Sequence, residues 1–170
     1  MNIGIIIYSR TGHTHSVATR LMHKLVAAGH TVKMERLQPV GATAPGTKHV
    51  QFATLPNPAQ YDALVFGSAV EAFTLSAVMA SYLQQIASLR GKQVACLVTE
   101  GFPLPSMGGN QAIAQMKSLL ESKGATVRGA GIVNWLNLRR GRQIAQVVDQ
   151  LSDLFGSGNW LPILHTQPAE

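Results

Sequence analysis

Apolar runs of strand length alternate with segments of helical period along most of this chain, and that alternation restricts it to one architecture. Strands joined by helices must cross over, so they pair in parallel with helices on both faces. The runs cover residues 3–8, 31–37, 63–66, 94–98 and 127–133. Four of the five are richly apolar, as strands covered on both faces must be, whereas the second carries Lys33, Glu35 and Arg36 and reads as an edge. Between them, Val17, Leu21, Met22, Leu25 and Val26 recur at helical spacing. Ser76 can cap a segment bearing Val78, Tyr82, Leu83 and Ile86, and Gly109 or Asn110 opens one bearing Ile113, Met116, Leu119 and Leu120. The last stripe is Ile144, Val147, Val148, Leu151, Leu154 and Phe155. The expected fold class is α/β, a doubly wound five-stranded parallel sheet in strand order 2-1-3-4-5. Its ligands bind beyond the carboxyl ends of the strands, where the order reverses.

At 170 residues the chain suits one domain, predicted over 1–155, followed by a tail over 156–170. Trp160, Leu161, Ile163 and Leu164 make that tail too apolar for water, so it is expected to dock on the domain or across a homodimer interface. Residues 38–60 have no sustained period and read as a long surface loop. No run is long enough to span a bilayer and no basic leader opens the sequence, so a cytoplasmic protein is expected. Cys96 lies in an apolar run with no basic neighbour and reads as a small buried hydrophobe. The net charge of +6 favours anionic partners, yet the basic residues are scattered and no nucleic-acid partner is expected. Only "NLRRGRQ" clusters three arginines, read as a solvated surface at a helix start.

The loops after the first, third and fourth runs are therefore where function is sought. In the first, SRTGHT supplies hydroxyls at Ser9, Thr11 and Thr14, while Gly12 lets the backbone curl around an anion at a helix N-terminus. Neither GxGxxG nor GxxxxGK is present, which sets aside the dinucleotide and nucleotide-hydrolase loops. His13, His15 and His23 do not form a metal site, because His13 and His15 do not share a helical face. His13 is read as exposed at the helix start.

SRTGHT after an apolar strand resembles the phosphate loop of flavodoxins, matching its four fixed positions. "YDALVFGSAVEAF" resembles that family's third strand and flavin loop, and "KQVACLVTEGFPLPSMGGNQAIAQMKSLLESKG" its fourth strand, third loop and helix. The resemblance covers roughly residues 1–155. It implies a cofactor, FMN, with Ser9, Arg10, Thr11, Gly12, His13 and Thr14 at the phosphate. The flavin ring falls to Ser68, Ala69, Val70, Glu71, Ala72 and Phe73 in the second loop and Thr99, Glu100, Gly101, Phe102 and Pro103 in the third. Ala69 and Glu71 stand where the family carries a proline and a stacking aromatic, leaving Phe73 or Phe102 to stack on the ring or to serve as core. Glu71 and Glu100 are read as solvated loop carboxylates, or as tuners of the flavin if either faces it. Trp135 ends the fifth strand and either borders the cofactor or packs.

The resulting expectation is a flavodoxin-like redox protein working with a redox partner protein. An FMN-dependent oxidoreductase using NAD(P)H and a small quinone-type acceptor is the alternative. A flavin-free interaction module is the third reading.

Overall fold

Isoleucine at residues 3, 5, 6 and 7 needs apolar cover on both sides of one strand, and the sheet supplies it by placing that strand in its interior. A computed structural model describes residues 1–102 and 104–156. Pro103 and the tail residues Trp160, Leu161, Ile163 and Leu164 lie outside the described residues. The strands are β1 (Asn2–Ile7), β2 (Thr31–Arg36), β3 (Ala63–Glu71), β4 (Thr74–Leu75), β5 (Gln93–Glu100) and β6 (Thr126–Asn134). The helices are α1 (His13–Ala27), α2 (Ala77–Gln85), α3 (Gly109–Ser122) and α4 (Arg140–Asp153).

Five strands run parallel in the order β2-β1-β3-β5-β6. Counted alone, they keep the predicted order. The observed sheet differs by a sixth strand, the two-residue β4, which pairs antiparallel with the end of β3. Ile3 stands opposite Val32 on one side and Ala63 on the other, so the order reverses between β1 and β3. The β1–α1 and β3–α2 connections open at that reversal.

Alternate residues of each pleated strand feed two cores. Ile6, Leu64, Phe66 and Cys96 meet α2 and α3 through Val78, Tyr82, Leu83, Met116 and Leu120. Ile3, Ile5, Ile7, Val65 and Leu97 meet α1 and α4 through Val17, Leu21, Ile144, Val147 and Leu151. Burial pushes the Cys96 thiol up to about 12, so at neutral pH it behaves as the expected small hydrophobe. The edge strand β2 alternates exposed and half-buried residues and pairs with β1 alone. Residues 38–60 form an irregular segment with one bridge, Pro39 to Phe52, and a short 3₁₀ turn, Pro58–Gln60. No described helix is long and apolar enough to cross a membrane.

One residue on β3 decides how closely α1 can approach the sheet. A Cβ on Gly67 would lie 2.8 Å from Ile7 Cγ2 and 3.3 Å from Thr14 Cγ2, both buried. Gly67→Ala is therefore expected to destabilise the protein by about 1–3 kcal/mol through overpacking, read as a lower urea midpoint with unchanged m value.

Candidate functional site

The first turn of any helix leaves backbone N–H groups without intrahelical partners, and most of those at the start of α1 stay free. Gly12 sits at the N-cap in the left-handed region, φ 88°, and offers no side chain to cap the helix. Ser9 Oγ accepts from the His15 N–H at 3.2 Å, and Gly12 carbonyl accepts from the Ser16 N–H at 2.9 Å. Among the described residues the N–H groups of Thr11, Gly12, His13 and Thr14 have no acceptor. Those four donors and the positive end of the α1 dipole make an anion cradle.

The three hydroxyls of SRTGHT have separate tasks. Ser9 is buried and caps the helix through His15, whereas Thr11 is exposed. Thr14 is buried and shares a hydrogen bond with Thr99 at the end of β5, Oγ1 to Oγ1 2.8 Å. That bond joins the first loop to the third. Arg10 reaches back to the Tyr8 hydroxyl at 3.4 Å and pairs with Glu71 at 3.1 Å, joining the first loop to the second.

His13 is not exposed as the sequence suggests. Its ring stacks on Trp135 with centroids 3.9 Å apart and planes 15° apart, and the Arg140 guanidinium lies 4.6 Å from the centre of the same indole. Burial, reinforced by the Arg140 charge, pushes His13 below its usual range, favouring a neutral imidazole. Trp135 thus lies beside the loop that opens α1. Its position at the end of an apolar strand was the signal available in sequence, but its partner lies at the other end of the chain.

The second loop differs most from expectation. Ser68 and Ala69 still pair in parallel with Val98 and Thr99 of β5, and only Val70 and Glu71 continue β3 beyond its parallel neighbours, where β4 folds back and pairs Val70 with Leu75 and Glu71 with Thr74. The turn between them is Ala72 and Phe73, with φ 47° and 64°. Two successive left-handed residues suit the twist of a two-residue hairpin, yet neither is glycine, so the turn holds roughly 1–3 kcal/mol of strain per residue. Phe73 is half exposed and stacks on Phe102 of the third loop, centroids 4.5 Å and planes 23° apart. The two aromatic candidates therefore stack on one another, each covering one face of the other. Ser68 instead bonds Ser76, the α2 cap, at 2.8 Å, while Ala69 stands opposite Thr99 and Val70 packs on the core. Ala72 and Gly101 are exposed at the loop tips.

Neither glutamate is the solvated loop carboxylate that the sequence suggests. Glu71 is mostly buried beside Arg10, and burial raises its pKa against the opposing pull of that cation. Glu100 is 2% exposed: Oε2 accepts from the Gly109 N–H at 2.8 Å, whereas Oε1 has no partner among the described residues. Burial pushes the Glu100 carboxyl up, with the Gly109 bond opposing. A protonated acid at this position satisfies the α3 N-terminus without stranding a full charge.

No protein-family model matches the sequence, and no curated protein matches it. The three-dimensional structure is similar to oxidised Flavodoxin 2 from Bacillus cereus, with TM-score 0.65, 18% identity, and coverage of 91% of this chain and 100% of that one. Two-electron reduced Megasphaera elsdenii flavodoxin gives 0.60 at 21% identity, covering 87% and 98%. A flavodoxin from Streptococcus pneumonia TIGR4 gives 0.64 at 14%, covering 90% and 99%. The chain has a flavodoxin-like fold.

The buried acid gives a stability test. A carboxyl raised by folding contributes stability that is complete below its ordinary value of 4.5 and is lost as pH climbs through the folded value. Wild type is therefore expected to lose ground against Glu100→Gln as pH rises from 4.5 to 7.5, measured as the difference between their urea midpoints. A difference independent of pH contradicts the assignment.

Proposed function

We propose that this chain is a redox protein that binds FMN non-covalently and transfers electrons through it. The observation that carries this reading is the row of free N–H donors from Thr11 to Thr14 at the start of α1, with a stacked aromatic pair on the second and third loops. A phosphate dianion is the kind of group such a row accepts, and Gly12 leaves it room because no side chain projects there. Phe73, half exposed and backed by Phe102, offers an apolar ring suited to a planar ligand, and Thr99 and Arg10 tie the two ends of the site together.

When bound, the flavin supplies the one- and two-electron chemistry. This chain's residues supply binding and electrostatics. Glu71 is paired with Arg10 and Glu100 is held toward its neutral form, so the ring end carries less negative charge than two free carboxylates would give it. That weakens the electrostatic penalty on an anionic reduced ring. The donor and acceptor are a redox partner protein, with NAD(P)H and a small acceptor as the enzymatic variant of the same reading.

Purified protein is expected to be yellow, or to take up one equivalent of FMN with quenching of flavin fluorescence. A Gly12→Val variant, forced away from the left-handed conformation, is expected to bind at least about tenfold more weakly. A colourless protein that ignores added FMN overturns the proposal. Rapid bleaching of the bound flavin by NAD(P)H alone would place the protein among the oxidoreductases; bleaching only through a reduced partner protein would make it a carrier.

A further inference from the structure

We propose that the turn between β6 and α4 docks this protein onto an anionic phospholipid surface. Two bulky side chains in that turn are presented to solvent, Leu136 at 62% exposure and Leu138 at 102%. They stand at the same edge of the sheet as the three site loops, because β6 runs parallel to β1, β3 and β5.

The turn is built rather than loose. The Asn134 side chain accepts from the Leu136 N–H at 2.9 Å and donates to the Phe102 carbonyl. Asn137 Oδ1 accepts from the Arg139 N–H at 2.8 Å, and Arg140 Nη1 donates to the Trp135 carbonyl at 2.6 Å. The leucines are thus held outward by a hydrogen-bonded frame, with little ordering left to be done on docking.

Charge decides what kind of surface fits. Arg139, Arg140 and Arg142 gather at the start of α4, where the helix dipole is already positive and no acidic residue occupies the first turn. Arg20 approaches from α1. Among the described residues none of these four arginines meets a carboxylate at ion-pair distance. Arg20, Arg140 and Ser16 line a cleft of about 630 Å³ beside Trp135, with Leu136 and Leu138 at its mouth.

Protruding leucines flanked by unpaired arginines match a layer whose phosphates lie just outside its acyl chains. The guanidiniums meet headgroup phosphates, one of which enters the cleft, while Leu136 and Leu138 enter the acyl boundary. A net charge of +6 adds long-range attraction to the same surface. Docking in this way brings the open edge of the site to the membrane. The inference does not rest on flavin binding.

Cosedimentation with phosphatidylglycerol–phosphatidylcholine vesicles tests it, against vesicles of phosphatidylcholine alone. Binding is expected only to the anionic vesicles and is expected to fall with salt. A Leu136→Ser/Leu138→Ser variant is expected to bind about tenfold more weakly, with unchanged circular dichroism. An Arg20→Gln/Arg139→Gln variant, which keeps the Arg140 bond to the Trp135 carbonyl, is expected to lose most of its salt-sensitive binding. Absence of binding overturns the proposal, and so does binding that ignores the leucines, because any basic protein adsorbs to negative vesicles. Capture by polyglutamate without capture by vesicles would also overturn it, reassigning the patch to an acidic protein.

Discussion

A single buried hydroxyl pair, Thr14 to Thr99, sets the geometry on which the site depends. It pins the first turn of α1 to the carboxyl end of β5, passing β3 at Gly67, where a side chain would block the approach. In that pinned turn the N–H groups of Thr11 to Thr14 have no acceptor among the described residues. His13 then falls against Trp135, and Arg10 falls within reach of Glu71. Both hydroxyls are buried and satisfied by one another, so losing either would leave its partner unpaired in an apolar setting.

Around that anchor the electrostatics are graded. The start of α1 has free N–H donors, a helix dipole and Arg10 and Arg140 nearby, and hence a positive potential. The ends of β3 and β5 carry two glutamates whose charge is muted, one by Arg10 and one by burial at the α3 N-terminus. The strained Ala72–Phe73 turn lies between these two regions. Its cost persists because β4 is held on β3 and Phe73 is held on Phe102, which together specify the hairpin.

Much of the fold was legible because its signals are local. A strand buried on both faces must be apolar throughout, so β1, β3 and β5 could be located, and Lys33, Glu35 and Arg36 marked β2 as an edge; β6, the opposite edge, was found by its apolar run although it exposes Thr126 and Arg128. Ser76 as the α2 cap was equally visible. What could not be read was set by contacts between distant parts of the chain. β3 outruns its apolar core because β4 returns to pair with it, and polar Ser68 and Glu71 gave no strand signal. Glu71 looked solvated because Arg10 lies far away in sequence, and His13 looked exposed because Trp135 does. Glu100 ends an apolar run, but its burial depends on how α3 docks over it. Loop composition alone carries none of this.

On the proposed reading, the backbone between Thr11 and Thr14 receives a phosphate. Amide chemical shifts of the ¹⁵N-labelled protein, titrated with FMN and separately with riboflavin, test it most directly, because the two ligands share the ring and differ in the phosphate. The account predicts that FMN moves the Thr11, Gly12, His13 and Thr14 amides strongly and that riboflavin leaves them almost unmoved. Equal responses to both ligands, or an FMN response that bypasses these four amides, would contradict it.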